Sequence, residues 1–318
     1  MTVFIMKMIA CLAMLLDHVA HLLQQKMRFV CPDITLHDIW AATAPLTGIG
    51  NAAFPIYAFL LVQGLSHTKS RKDYLGRLAL FAFISQTPYV LFMENLSILA
   101  PGRRTILFYS ALSMEFFLPH FLFIISCLAC WIVWPEKDWK GKNFLFLCLA
   151  MIPMAVEELK IGGIILHSQK FSIFYTLAFG FYLCFFWEKL SDYIQRRKQK
   201  RAIPPYYPWK LLLLAAPMIT AIGALRCDYG IRGFILILAL YLLQKYRWAQ
   251  SVFIIVWGCV VYGQASLLDW ETSGIVLAAV LALCYTGRKG PNIKYPFYLF
   301  YPFHLLVLGI LSVTMFQY

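Results

Sequence analysis

Lys7, Asp17 and His18 sit inside one apolar run, Val3 to Leu23 (VFIMKMIACLAMLLDHVAHLL). An ionisable group in bilayer hydrocarbon costs about 2.5–3.5 kcal/mol on insertion scales, so such residues face a bundle interior or a wet cavity and act there. Lys7 and His18 are eleven residues apart. At about 100° per residue they share a helix face, roughly 16 Å apart along the axis. A cation near one membrane surface is thus aligned with an imidazole deep in the helix. Asp17 lies about 100° around the helix from His18 and cannot pair with it, but it reaches His21 at i+4. The roles open to this set are proton transfer, substrate binding, or a buried polar clamp between helices.

Other candidates are scattered along the chain. His67-Thr68-Lys69-Ser70-Arg71-Lys72 is a basic cluster at a membrane face, and Arg77 follows it inside the next apolar segment. Such a cluster suits phosphate, either of lipid headgroups or of a nucleotide-type cofactor, and also serves as a plain topology signal. Gly48-Ile49-Gly50-Asn51-Ala52-Ala53-Phe54-Pro55 combines small residues for close helix packing with a proline that removes a backbone bond. It reads as tight packing with a kink, or as a helix opened around a ligand. Asp228, in Cys227-Asp228-Tyr229-Gly230, stands where a carboxylate caps a helix. His304 falls near mid-membrane in the last segment; both it and His120 suit a hydrogen bond to a neighbour, and His304 also suits proton handling. Cys127 and Cys130 form a CxxC inside an apolar run with no further ligands, so no metal site is expected. No zinc-type histidine spacing, Walker loop or nucleophile elbow is present.

The elements that position these residues must be membrane helices. The chain has 318 residues, 61% of them hydrophobic and only 14% charged, too little charge for a soluble domain of this length. Eleven apolar segments are expected, near 3–23, 44–66, 74–93, 106–134, 144–157, 171–187, 209–225, 229–244, 248–267, 271–286 and 295–315. The segment at 144–157 is short, contains Pro153, and is either a full crossing or re-entrant. The fold class is all-α, a polytopic transmembrane bundle of about ten or eleven helices. Residues 1–318 read as a single integral membrane domain, with a cytoplasmic connector at 188–210. The N-terminal segment lacks a small-residue cleavage site and reads as a retained helix. Lysine and arginine concentrate in the loops that are cytoplasmic if the N-terminus is inside. The net charge of +13 is therefore read as topology, with no nucleic-acid partner expected.

Several short motifs, in order, resemble the TraX family. They are Leu15-Leu16-Asp17-His18; Ala53-Phe54-Pro55-Ile56-Tyr57 running on to Gly64; His67-Thr68; Tyr74-Leu75-Gly76-Arg77-Leu78; Phe83-Ile84-Ser85-Gln86-Thr87-Pro88; Asp228-Tyr229-Gly230-Ile231-Arg232-Gly233; Gly287-Arg288-Lys289-Gly290; and Phe297 to His304. The chain departs from the pattern at Asn51, where an arginine is usual, and at about 94–165, which resembles an insertion of one or two helices. Lys7 and His18 also fit the basic-x10-His first helix of membrane O-acetyltransferases that modify bacterial surface glycans.

The resemblance implies a membrane acetyltransferase in the bacterial inner membrane, with the N-terminus cytoplasmic. Acetyl-CoA, or a longer acyl-CoA, would be the donor. The acceptor would be an amine or hydroxyl, such as a pilin or other peptide N-terminus, a surface glycan or a membrane lipid. Lys7 and Arg77, with Arg288 and Lys289, would hold the donor phosphates. His18 would act as general base or as nucleophile, Asp17 would orient the site, and His304 would handle protons. Asp228 and Tyr229 would contact the acceptor. On the residues alone, a proton-coupled transporter or flippase, with Asp17, His18 and His304 as its proton relay, and a non-catalytic scaffold remain alternatives.

Overall fold

A computed structural model describes residues 1–31, 33–68, 71–97, 171–199, 201, 227–263, 269–291, 293 and 295–315. The expected segments at 106–134, 144–157 and 209–225, most of the 94–165 stretch, His120 and the Cys127–Cys130 pair lie outside these residues.

The described residues form helices: α1 (Val3–Val30), α2 (Leu36–Gly50), α3 (Ala53–His67), α4 (Arg71–Ser97), α5 (Ile173–Lys198), α6 (Gly230–Leu242), α7 (Arg247–Tyr262), α8 (Trp270–Leu283) and α9 (Tyr295–Met315). Among them no strand occurs, and the only extended pairing is an isolated parallel bridge between Phe171 and Cys227. Val3–Arg28, Leu36–His67, Ile173–Lys198 and Tyr295–Ser312 are long and apolar enough to cross a bilayer. The protein is an all-α polytopic membrane bundle, because only helices satisfy their own backbone in hydrocarbon while leaving apolar side chains outermost.

Several boundaries differ from the sequence reading, among them the end of α1, which lies at Val30 and not at Leu23. The second segment begins at Leu36, not 44, because Thr35 caps it: its hydroxyl accepts from the Asp38 N–H at 3.2 Å and donates to the Asp38 carboxylate at 2.6 Å. Helix α5 continues to Lys198, through the first residues of the expected connector, carried by an Arg196–Asp192 pair at 3.0 Å, four residues apart.

The chain divides into two compact units. One contains residues 1–64, the end of α4 from Ser85, and the C-terminal stretch from Ala239. Within it α2 returns along α1, and α9 runs beside α1 in the same direction. Helix α8 packs on α2 and α7. The approach of α8 to α2 is close enough that a Cβ on Gly48 would lie 2.0 Å from the Trp270 carbonyl oxygen, and one on Gly274 would lie 2.2 Å from that of Gly48. The small residues read from the sequence thus serve packing. Pro55 does not kink a helix from within. It lies in the first turn of α3, and the break falls just before it, at Asn51–Ala52. Pro55 has no N–H to give the Asn51 carbonyl four residues back, so one continuous helix is disfavoured there.

The other unit contains Leu65–Ile84 with residues 171–199 and 227–238. Helices α4 and α5 pack antiparallel through aromatic pairs, Tyr74 against Phe181 at 5.1 Å and Phe81 against Phe174 at 6.1 Å.

Candidate active site

Helix α1 presents Lys7, Cys11, Met14 and His18 on one stripe. The structure brings both ends of that stripe against α9. The Lys7 ammonium lies over the Phe297 ring, 5.3 Å from its centroid. Deeper, His18 Nδ1 is 2.7 Å from His304 Nε2, and both side chains are buried. Cys11, between them, has its sulfur 3.0 Å from the Tyr57 hydroxyl of α3.

The His18–His304 contact is enclosed by aromatic rings. Phe92 of α4 meets His18 edge-on at 5.4 Å, and Phe300 stacks on His304 at 4.8 Å. Tyr301 meets His304 edge-on at 5.7 Å. His304 Nδ1 is 2.8 Å from the Phe300 carbonyl oxygen, one turn back along α9. Such a shell limits water and holds each ring in a single orientation.

Asp17 occupies the neighbouring face of α1. Its carboxylate is 3.7 Å from His21 Nε2, the i+4 pairing read from the sequence. The line continues: His21 Nδ1 lies 3.3 Å from Gln24 Oε1, and the Gln24 amide donates to the Thr43 hydroxyl of α2 at 2.8 Å. Gly50 makes this seam possible, since a Cβ there would lie 2.4 Å from the Asp17 Cβ.

The end of α1 that carries Lys7 is strapped to the loop after α8. The Val3 N–H donates to the Arg288 carbonyl at 2.9 Å and the Phe4 N–H to the Lys289 carbonyl at 3.3 Å. These are helix-terminal donors with no partner inside α1. The Thr286 N–H and hydroxyl both donate to the Met1 carbonyl, at 3.0 and 2.9 Å. Gly290, at φ +72°, closes the loop where a Cβ would lie 2.9 Å from that of Phe4. Arg288 and Lys289, both exposed, are thereby fixed at the same end of α1 as Lys7.

The remaining candidates belong to the other unit. Arg77 lies on α4 with its guanidinium 5.7 Å from the Tyr74 ring, and its Nε is buried without a hydrogen bond among the described residues. Arg71, in the expected basic cluster, is paired with Glu188 at 2.6 Å. Asp228 does not open a helix directly, because α6 begins at Gly230. Its N–H donates to the Phe171 carbonyl at 2.8 Å, and its own carbonyl accepts from the buried Thr176 hydroxyl. Tyr229 follows in the left-handed region at φ 61°, a conformation that costs a non-glycine residue about 1 kcal/mol or more.

The sequence groups His18 with His304 only in the proton relay of the transporter alternative, and it gives no site role to Cys11, Tyr57, Phe92 or Phe300. Cys11 was available as the i+4 neighbour of Lys7 on the same stripe. The aromatic partners lie on other helices, where spacing within α1 carries no information.

A protein family described as TraX protein matches residues 3–119 and 144–312. Between the two parts residues 120–143 are unmatched, whereas 94–119 and 144–165, the rest of the stretch read as an insertion, are matched. The chain is also 23% identical, over 319 residues, to a probable fimbrial assembly protein FimC, serogroup H1, of Dichelobacter nodosus. That alignment covers 96% of this chain and 93% of the relative. No solved structure matches it.

Proposed function

The chain belongs to the TraX family, and from that premise we propose that it is an acyltransferase of the bacterial inner membrane, N-terminus inside, which moves an acetyl group from cytosolic acetyl-CoA to an amine or hydroxyl. The observation that carries the reading is the paired contact of α1 with α9: a cation at one end of the stripe and a buried imidazole pair along it. A proton site alone needs the imidazoles; the cation aligned with them suits a long ligand with phosphate at one end and a reacting group at the other. Lys7, Arg288 and Lys289 gather at that end and suit the donor phosphates.

In the proposed reaction the acceptor nitrogen or oxygen attacks the thioester carbonyl while His18 Nε2 takes the acceptor's proton. The carbon–sulfur bond then breaks, and the departing thiolate receives that proton from the imidazolium. The products are the acetylated acceptor and free CoA thiol. The alternative order, attack by the same Nε2 lone pair to give an acetyl-imidazole that the acceptor then cleaves, uses the same geometry. Asp17 and the His21–Gln24–Thr43 line suit the acceptor side, since they lead away from Lys7 along the α1–α2 seam. The fimbrial-assembly name of the Dichelobacter relative favours a pilin subunit as acceptor.

The test is transfer of labelled acetyl from acetyl-CoA to a pilin-type peptide by the purified full chain, with His18→Ala as the comparison. Loss of a general base or nucleophile predicts a fall in kcat of at least about a hundredfold. A His18→Ala protein with undiminished transfer refutes the assigned role. Proton-coupled uptake without CoA binding would return the chain to the transporter alternative.

A further inference from the structure

We infer that His304 is a positioning residue that fixes the tautomer of His18 so that Nε2, and not Nδ1, is the reactive nitrogen. The inference rests on the acyl-transfer reading for its functional meaning and on hydrogen-bond bookkeeping for its content. A carbonyl oxygen can only accept, so the 2.8 Å contact between His304 Nδ1 and the Phe300 carbonyl places a hydrogen on Nδ1. A neutral imidazole carries one hydrogen. His304 Nε2 is therefore the bare nitrogen, and an acceptor. At 2.7 Å from it, His18 Nδ1 must then be the donor. That leaves the His18 Nε2 lone pair for chemistry.

The competing arrangements are worse. With the hydrogen on His304 Nε2, the bare Nδ1 would face the Phe300 oxygen, lone pair against lone pair. With hydrogens on both nitrogens, a full charge would lie in a shell made by Phe92, Phe300 and Tyr301, inside hydrocarbon. The chain Phe300 carbonyl–His304–His18 thus does for this imidazole what a carboxylate does in a hydrolase triad: it sets which nitrogen is bare and holds the ring's angle. Here the orienting group is neutral throughout and ends on a backbone carbonyl, so it requires no buried charge. His304 consequently does not exchange a proton with substrate.

The test has two arms on the full-length protein. Histidine 15N spectra, with His18 assigned by its loss in His18→Gln, should show His18 protonated at Nδ1 and bare at Nε2. This arm needs no activity, so its failure is separable from failure of the acyl-transfer reading. In the kinetic arm, His304→Phe removes the acceptor and should lower kcat about 10–100-fold, the usual effect of losing an orienting partner, with KM for acetyl-CoA little changed. His304→Gln places an amide oxygen near the Nε2 position and should recover at least about a tenth of the wild-type kcat. A wild-type spectrum with His18 protonated at Nε2 overturns the inference, as does a His304→Phe protein of normal kcat or a glutamine variant no better than phenylalanine. Should His304→Phe fail to fold, the wild-type spectrum still decides.

Discussion

Lys7→Met separates the two things Lys7 can do. Methionine keeps an unbranched apolar stem against Phe297 and removes the charge now held 5.3 Å from that ring. If Lys7 holds a donor phosphate, the lost interaction is a charge-assisted hydrogen bond of about 1.5–3 kcal/mol. At about 1.4 kcal/mol per factor of ten, KM for acetyl-CoA should rise about ten- to 150-fold. The kcat should change little, because His18 lies roughly 16 Å farther along α1 and keeps its own contact with α9. The assay is steady-state acetyl transfer with acetyl-CoA and, in parallel, with S-acetyl-pantetheine, which carries no phosphate. Wild type and Lys7→Met should use the truncated donor equally well, since that donor offers no phosphate to position 7 in either protein. Three results refute the reasoning: an unchanged KM for acetyl-CoA, a fall in kcat alone, or the same penalty with the phosphate-free donor.

Two further substitutions test the frame around the site. Gly50→Ala would place a Cβ 2.4 Å from that of Asp17, about 1 Å inside contact distance, and should destabilise the α1–α2 pair by about 1–3 kcal/mol, read as a lower thermal midpoint in detergent. Arg71→Gln breaks the half-exposed pair with Glu188 and should cost no more than about 1 kcal/mol, with KM for acetyl-CoA unchanged; a raised KM would return Arg71 to the phosphate-binding set.

How much of this was legible in the sequence depends on which contact is asked about. The stripe of Lys7 and His18 and the Asp17–His21 pair were readable, because helical periodicity alone fixes which residues on one helix can meet. The close packing around Gly48 and Gly50 was readable as a tendency of small residues, but not its partners, since α8 and Asp17 come from elsewhere in the chain. The sequence offers a kink or an opened helix at Pro55, and the chain breaks before it instead, because proline suits the first turn of a helix as well as a kink within one. Arg71 read as a phosphate ligand or a topology signal, and Glu188, more than a hundred residues away, took it instead.

The His18–His304 contact marks the limit most clearly. Each residue was visible as a polar group at mid-membrane depth, and each taken alone is ambiguous between a clamp and a reactive group. Joined, they become asymmetric: the Phe300 carbonyl saturates one end of the pair, so the other end is left with a bare nitrogen. A structural clamp would need the Phe300 carbonyl as well, because a buried imidazole N–H without an acceptor costs about 1–3 kcal/mol; what the bonds fix is which nitrogen is bare. The chain of bonds runs in one direction, from the α9 backbone toward α1, and its free end lies on the stripe that Lys7 begins. The alignment of that bare nitrogen with the Lys7 charge, more than the presence of histidine in the membrane, is what favours chemistry over packing here.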